Sequence, residues 1–491
     1  MITFQPEFRP VLPVVYGPKE YTEFRETLEE MDRILRTTGL EIDFIKRHFS
    51  ESATSSSCCP TQSASKIACT ALRHAILLAL TNESYRGLSL RISDSALLQW
   101  FTTSAQIDAV RPASKSTIER YSKMFSSESV TWLIHELNRT AGDEKYCEEL
   151  LVRKTALSFD QIFADTTCVK ANIHFPVDWV LLRDAVRTLT KAIEVIRSSG
   201  LHYRISEPSK FLSNMNKLCM EMSGLRKKRD ASKKRKMVLR RMKKLTKTVQ
   251  KHAENYYREL SLNWEKTSLS HLQAQVVLRR IENILSQLPK AIKQAHERII
   301  GERRVGNKDK ILSFYEPDIH VLVRGKAGAE VEFGNALYLA EQSDGLIVDW
   351  QFIKDQPPGD NKLVKAGIER ISAEYGKPKS YTADRGFDST QNNIDLEGDE
   401  IINAICPRSV PLLEQKLEDE LFCRLQKRRG STEARIGIFK NAWLGVPFRS
   451  KGFNNRQIRI EFCILTHNLW KLASMAAGRR KELLQESTKA A

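Results

Sequence analysis

Three carboxylates in this chain stand where a solvated surface acid does not belong. Asp165 lies inside the apolar run Gln161–Val169, where a charge is costly unless a cation or a hydrogen-bond donor meets it. Asp384 ends the short apolar stretch Ser380–Ala383, and Arg385-Gly386 follows as a turn that can present a carboxylate into a cleft. Glu433 falls early in a helical pattern, with Arg429 four residues before it and Lys440 seven after. Eleven residues at ~100° each return to within about 20° of the start, so a continuous helix would put all three on one face. One acid among cations suits a site that handles both a metal ion and phosphates. Gly430 and Gly437 lie in the same segment and lower its helical propensity.

The elements that must position these acids follow from periodicity. Phe24, Leu28, Met31 and Leu35 recur at helical spacing, and Gly39 ends that helix. Glu51–Ser65 is rich in Ser and Thr and is expected to be a linker. Helical pattern resumes from Lys66 to Thr81 and again after Ser93-Asp94. Ser116-Thr-Ile-Glu119 fits a capping box that opens a short helix to about Phe125, with Arg120 and Lys123 on its outer face. Such short helices suit either a helix-turn-helix-like DNA reader or a plain bundle. Gln161–Val169 has strand character. The helical region from Asp178 to about Ile300, with Leu272, Val276, Ile281, Ile284 and Leu285 and with Pro289 near its end, predicts an antiparallel helical hairpin inserted into another fold.

Strand patterns return at Ile319–Arg324, Glu332–Ala340 and Leu346–Ile353, separated by Gly-containing turns at Gly325–Gly328 and Ser343–Gly345. A helix over Asn361–Tyr375, strands Ser380–Ala383 and Ile401–Cys406, and helices Leu412–Lys427, Thr432–Trp443 and Gln457–Ala473 complete the chain. With the insert removed, this order predicts an α/β fold: a ribonuclease-H-like mixed sheet flanked by helices. The expected layout is an all-α N-terminal domain over 1–150, a catalytic domain over 151–475 with a basic helical insertion at about 178–300, and a flexible tail over 476–491.

Charge is distributed unevenly. The formal net charge is +18, with a pI near 9.4. Arg226–Lys251 holds fourteen Lys and Arg against Asp230 alone, a local balance of 14 − 1 = +13 that leaves +5 for the rest. A basic device on a near-neutral body points to a polyanion partner. Lys233, Lys234, Arg235 and Lys236 are its densest part, and phosphates would relieve their mutual repulsion.

Other chemistries lack their residues. There is no GxxxxGK[ST] for a nucleoside triphosphate and no HExxH for a catalytic zinc. His174, His296, His320 and His467 are dispersed, and Trp350 and Trp443 fit core positions. The nine cysteines show no CxxC, and the adjacent Cys58 and Cys59 suit no mutual bridge, so reduced thiols are expected. The start Met1-Ile-Thr-Phe-Gln lacks the regions of an export signal, and apolar stretches such as Ala75–Leu80 are far too short to span a bilayer.

Phe163-Ala-Asp-Thr-Thr-Cys-Val169, Tyr381-Thr-Ala-Asp-Arg-Gly-Phe-Asp388 and Arg429-x3-Glu433-x6-Lys440 together resemble the three catalytic blocks of DDE transposases from bacterial insertion sequences. The third block resembles that family's Tyr-x2-Arg-x3-Glu-x6-Lys signature, with Gln426 at the tyrosine position. In the family that tyrosine helps hold a terminal phosphate. Asp318–Gly334, with Arg324-Gly-Lys-Ala-Gly328, resembles the family's basic turn between the two aspartates. Ser84-Tyr-Arg86, Ser116-Thr117 and the closing His467-Asn-Leu-Trp470 extend the resemblance to about residues 65–475.

The resemblance implies that Asp165, Asp384 and Glu433 are catalytic and hold two Mg²⁺ ions, with Mn²⁺ able to substitute. It implies cleavage at the ends of an insertion sequence and strand transfer into target DNA. Arg429 and Lys440 would position phosphates, and Arg324, Lys326, Lys233, Lys234, Arg235, Lys236, Arg120 and Lys123 would contact DNA. The expected partners are double-stranded DNA, as terminal inverted repeats and target, and further copies of the chain in a homodimer or higher oligomer. The expected location is the cytoplasm, on the nucleoid. Two alternatives remain, a related metal-dependent nuclease that does not join ends and an inactive transposase-derived DNA-binding protein. A basic coiled-coil scaffold explains Arg226–Lys251 but not the strand-borne aspartates.

Overall fold

The computed structural model describes the chain outside residues 1–10, 53–60, 105–108, 204–206, 226–229, 327–328, 447 and 491; of 52, 324–326, 329–330, 489 and 490 it describes the backbone. Eight helices come first: α1 (Lys19–Thr37), α2 (Leu40–Ser52), α3 (Gln62–Thr81), α4 (Tyr85–Asp94), α5 (Ala96–Phe101), α6 (Lys115–Tyr121), α7 (Ser127–Gly142) and α8 (Glu144–Cys147). Strand β1 (Gln161–Lys170) follows, then α9 (Asp178–Ser198), α10 (Pro208–Gly224), α11 (Ala231–Asn263) and α12 (His271–Ala295). The remainder is β2 (His320–Lys326), β3 (Ala329–Gln342), β4 (Ile347–Phe352), α13 (Val364–Tyr375), β5 (Ser380–Ala383), α14 (Thr390–Gly398), β6 (Ile402–Ile405), α15 (Val410–Lys416), α16 (Glu420–Ile438) and α17 (Phe453–Ala490).

The strands form one six-stranded mixed sheet in the order β2-β3-β1-β5-β6, with β4 also paired to β3. β5 runs parallel to β1 and β6, whereas β3 is antiparallel to β2 and β4. The two-residue period of β1 sorts its side chains between two layers. Ile162 and Ala164 join a core with Tyr381, Ile368, Ile371 and Leu396 on the side of α13 and α14. Phe163 joins Phe422 and Leu425 of α16 on the other side.

The chain divides into two compact units, residues 1–170, 336–353 and 357–491 in one and 171–335 with 354–356 in the other. In the first, α1, α3 and α7 pack on α17, and their apolar residues share a core with Leu337, Leu339 and Ile347 of the sheet. The helices of the expected N-terminal DNA-binding or dimerisation domain share that core. The expected flexible tail is instead helical to Ala490 as the end of α17.

The second unit differs most from the expected hairpin. The expected hairpin is a bundle of four helices, α9 to α12, around Leu189, Leu218, Met242, Val249, Ile281 and Ile284. Gly200 at φ +113 follows α9 and Asp230 at φ +60 precedes α11; a regular helix cannot pass through such backbone. In α12, Ile281 and Ile284 face the core as expected, joined by Ala274, Val277 and Leu288, whereas Leu272 and Val276 are exposed. Pro289 lies inside α12, which runs on to Ala295.

Smaller differences have local causes. α6 is capped by Ser114, whose hydroxyl accepts from the Thr117 N–H at 3.3 Å, while Glu119 turns to Lys123 at 2.8 Å, so the capping box at Ser116 does not form. The last helices break at residues 417–419 and not near Gly430, because Asp419 caps α16 by accepting from the Leu421 N–H. The Ser/Thr-rich linker lies mostly outside the described residues, and α3 begins at Gln62 where Thr61 caps it. α3 is by length and composition apolar enough to cross a membrane, contrary to the sequence expectation, but it is mostly buried in the protein and carries the buried Arg73 and His74. It packs as a core helix.

Candidate active site

Strand register brings the first two acids together. Gln161, Ile162 and Phe163 lie opposite Ser380, Tyr381 and Thr382 in parallel pairing, so two residues on Asp165 comes level with Asp384. Asp165 has the parity of Phe163 and so faces the α16 layer. Its carboxylate accepts the Thr166 N–H at 2.7 Å. Asp384 ends β5 in extended backbone and accepts the Gly386 N–H at 2.7 Å. Arg408, beyond β6, fixes that turn by donating to the Arg385 carbonyl at 2.9 Å and the Gly386 carbonyl at 3.0 Å.

α16 delivers the third acid. Gln426 donates to the carbonyls of Ala383 at 3.1 Å and Ala404 at 2.6 Å, pinning the helix to the ends of β5 and β6 one residue short of Asp384. Its own carbonyl oxygen accepts from Arg429 Nε at 3.0 Å, and Arg429 Nη1 donates to Glu433 at 2.6 Å. The residue at the signature tyrosine position thus orients the arginine that holds the third acid.

Electrostatics tie the three together. Burial pushes the Asp165 carboxyl up to about 6; the charge of Asp384 raises it further, the Thr166 N–H pulls it back, and Glu433 raises and Arg429 lowers it in turn. Among the described residues no three His, Cys, Asp or Glu side chains are drawn together at ligating distance. Like charges repel, and each of these acids rests on a local donor: Thr166, Gly386 and Arg429. The donor chemistry still fits a hard divalent cation, being oxygen-only and anionic from three separate elements.

No protein-family model, curated protein or solved structure matches this chain.

The remaining expected residues are scattered. Lys440 lies past the end of α16 on a π-helical turn, Phe439–Leu444, so the regular helical rotation that put it on one face with Arg429 and Glu433 is interrupted. Arg324 and Lys326 are on β2, and their side chains are outside the described set, as are residues 226–229 of the basic run. On α11, Lys233 and Lys234 are exposed, Arg235 is half-buried, and Lys236 pairs with Glu302 at 2.8 Å. Arg120 is exposed on α6, and Lys123 lies just beyond that helix. The histidines have local partners, as His174 with Asp184 and His320 with the Lys354 carbonyl.

Sequence reasoning missed Asp360. Its carboxylate accepts from Thr166 Oγ1 at 2.9 Å, and a Cβ on Gly386 would meet it at 2.9 Å, so a fourth acid borders the site. The only available signal was Pro357-Pro-Gly-Asp360, which marks a turn without saying what the turn approaches.

Proposed function

We propose that this chain is a DDE-type DNA transposase with a ribonuclease-H-like catalytic core, which cleaves at the ends of a mobile element and joins them to target DNA. One observation carries the reading: the parallel register of β1 and β5 sets Asp165 level with Asp384, and Glu433 on α16 acts on the same half-buried carboxyl. An acid in the middle of one strand, beside an acid at the carboxyl end of its parallel neighbour and faced by a helix with a third, suits a ligand that needs anionic oxygen donors. The motif order agrees with the resemblance drawn from sequence, while the long helical insertion between the first two acids departs from the smallest members of that family.

Asp165, Asp384 and Glu433 would hold two Mg²⁺ ions. When bound, such a pair supplies nucleophile activation and leaving-group stabilisation for in-line displacement at phosphorus. The protein's own groups do the positioning. The Thr166 and Gly386 N–H groups and the Arg408 fork fix the two aspartates. Gln426 and Glu433 hold Arg429 by its Nε and Nη1, which leaves Nη2 for a phosphate oxygen. Cleavage by water and joining by a 3′-hydroxyl then need one site and differ in nucleophile.

Asp165→Asn, Asp384→Asn and Glu433→Gln should each abolish Mg²⁺-dependent cleavage of oligonucleotides carrying the flanking inverted repeats, while duplex affinity stays within about threefold, since little volume changes. Ca²⁺ should support binding without cleavage, because its looser coordination misplaces the reacting oxygens. Near wild-type cutting by any of the three variants removes that residue from the site. Cleavage with no joined product would leave a nuclease.

A further inference from the structure

Glu341 is a buried carboxylate outside the set just described, with about 4% of its surface exposed. It lies near the end of β3, where the register shifts between Ala340 and Glu341. Three residues of α16 converge on it. Arg428 donates through Nη1 and Nη2, both at 3.0 Å, Thr432 through Oγ1 at 2.6 Å, and Arg435 through Nε at 2.9 and 3.1 Å to the two oxygens. Residues 428, 432 and 435 recur at four and three, so they form one stripe of the helix.

That stripe has more anchors than a helix needs simply to stay attached. Arg428 also donates to the carbonyls of Gln342 at 3.2 Å and Ser343 at 2.7 Å, and its guanidinium lies 4.6 Å from the centre of the Phe163 ring. Phe163 is two residues before Asp165 on the same face of β1. Gly345, at φ +94, lets Arg435 lie against the β3–β4 turn, because a Cβ there would sit 2.9 Å from the guanidinium carbon. Around the helix axis Glu433 is ~100° from Thr432 and ~140° from Arg428. Buried Phe422, Leu425 and Ile436 lie between the clamped edge and the acidic one. Fixing one edge fixes the rotation of the other.

We propose that Glu341 is a positioning residue for the third carboxylate: it sets the rotation of α16 about its axis so that Glu433 faces Asp165 and Asp384. Glu341 meets no ligand itself. This rests on the reading of Glu433 as a metal ligand.

The test is Mn²⁺ binding by calorimetry on the full-length protein, without DNA. Glu341→Ala should weaken Mn²⁺ affinity by about 10–100-fold, the usual range for a partner that orients a ligand, with the circular-dichroism spectrum unchanged. Glu341→Gln, which keeps an acceptor for Thr432, should show a smaller loss in the same direction. In a Glu433→Gln background, Glu341→Ala should cost less than about twofold more, because the group it positions is already gone. A folded Glu341→Ala with wild-type affinity overturns the proposal, as does a full additional loss in the Glu433→Gln background. If Glu341→Ala does not fold, unchanged affinity in Glu341→Gln overturns it. If wild type and Glu433→Gln bind Mn²⁺ alike, it is the metal-site reading that fails, and the positioning role falls with it.

Discussion

Burial raises the carboxyls of Glu461 and Asp165, but the groups around the two differ. Glu461 on α17 is about 2% exposed; one oxygen accepts from Ser127 at 2.6 Å and Gln457 at 3.1 Å, and the other has no hydrogen-bond partner among the described residues. Burial pushes its carboxyl up to about 7 from 4.5, against the pull of Ser127 and Gln457. The folded protein therefore holds that proton more tightly than the unfolded chain. The associated stability is complete below pH ~4.5 and is lost as the pH rises through 7, at most about 3 kcal/mol by linkage. Glu461→Gln should accordingly melt several degrees above wild type at pH 8 and match it at pH 4.5. Equal melting curves at pH 8 would show that Glu461 ionises without cost. For Asp165 two acids, Asp384 and Glu433, add to burial, whereas Glu461 has Glu128 alone.

At the scale of the element, α11 sorts the basic run onto one face. Val238, Met242, Thr246, Val249, Ala253 and Tyr256 bury one face in the bundle. Lys233, Arg240, Lys244, Lys247 and Lys251 recur on the opposite, exposed face. Eighteen residues at 1.5 Å give a cationic line ~27 Å long. If DNA lies along it, the contacts go to phosphates and are indifferent to sequence. Replacing Lys233, Arg240, Lys244 and Lys247 with Gln should weaken binding to all duplexes alike and flatten the log K against log[salt] slope by about 0.9 for each lost contact. The Arg235→Gln, Lys236→Gln pair should flatten it less, since one is half-buried and the other already pairs with Glu302. An unchanged slope in the first variant, with its helix content intact, makes the line a solvated face. A loss of preference for terminal repeats over random duplex would mean that it reads bases.

At the scale of the whole molecule, the helical part of the first unit is locked by one buried cation. Arg73 of α3 donates to Glu41 of α2 at 2.7 and 2.8 Å, to Asp32 of α1 at 2.6 Å and to the Phe101 carbonyl of α5 at 3.0 Å. The two acids raise its already high pKa and overcome the burial that opposes its charge. Arg73→Ala removes the bidentate partner of buried Glu41 and leaves Asp32 with Arg36 at 3.8 Å, and should destabilise the protein by about 3–5 kcal/mol, measured by urea denaturation. A loss under about 1 kcal/mol would mean that water reaches those acids freely.

Some of this was fixed by local chemistry and some was not. The strands Gln161–Lys170 and Ser380–Ala383 were legible because alternation and β-branching depend on neighbours along the chain. Asp165 and Asp384 were legible because a charge in or at the end of an apolar run is anomalous without reference to anything distant. The pairing of those strands in parallel register, which makes the two acids level, is a long-range choice that no local pattern encodes. The same limit hid Asp360, whose partner is Thr166, and Glu341, whose three donors come from 87 to 94 positions away in the chain. It also explains the misplaced break at Gly430: propensity disfavours glycine in a helix by about 1 kcal/mol, and the Arg428, Thr432 and Arg435 contacts with Glu341 outweigh that. The basic segment was obvious in composition, yet which cations face outward was decided by the bundle that buries the other side of α11. Sequence determined which groups could do chemistry; tertiary packing decided which of them meet, because burial and register are properties of residues far apart in the chain.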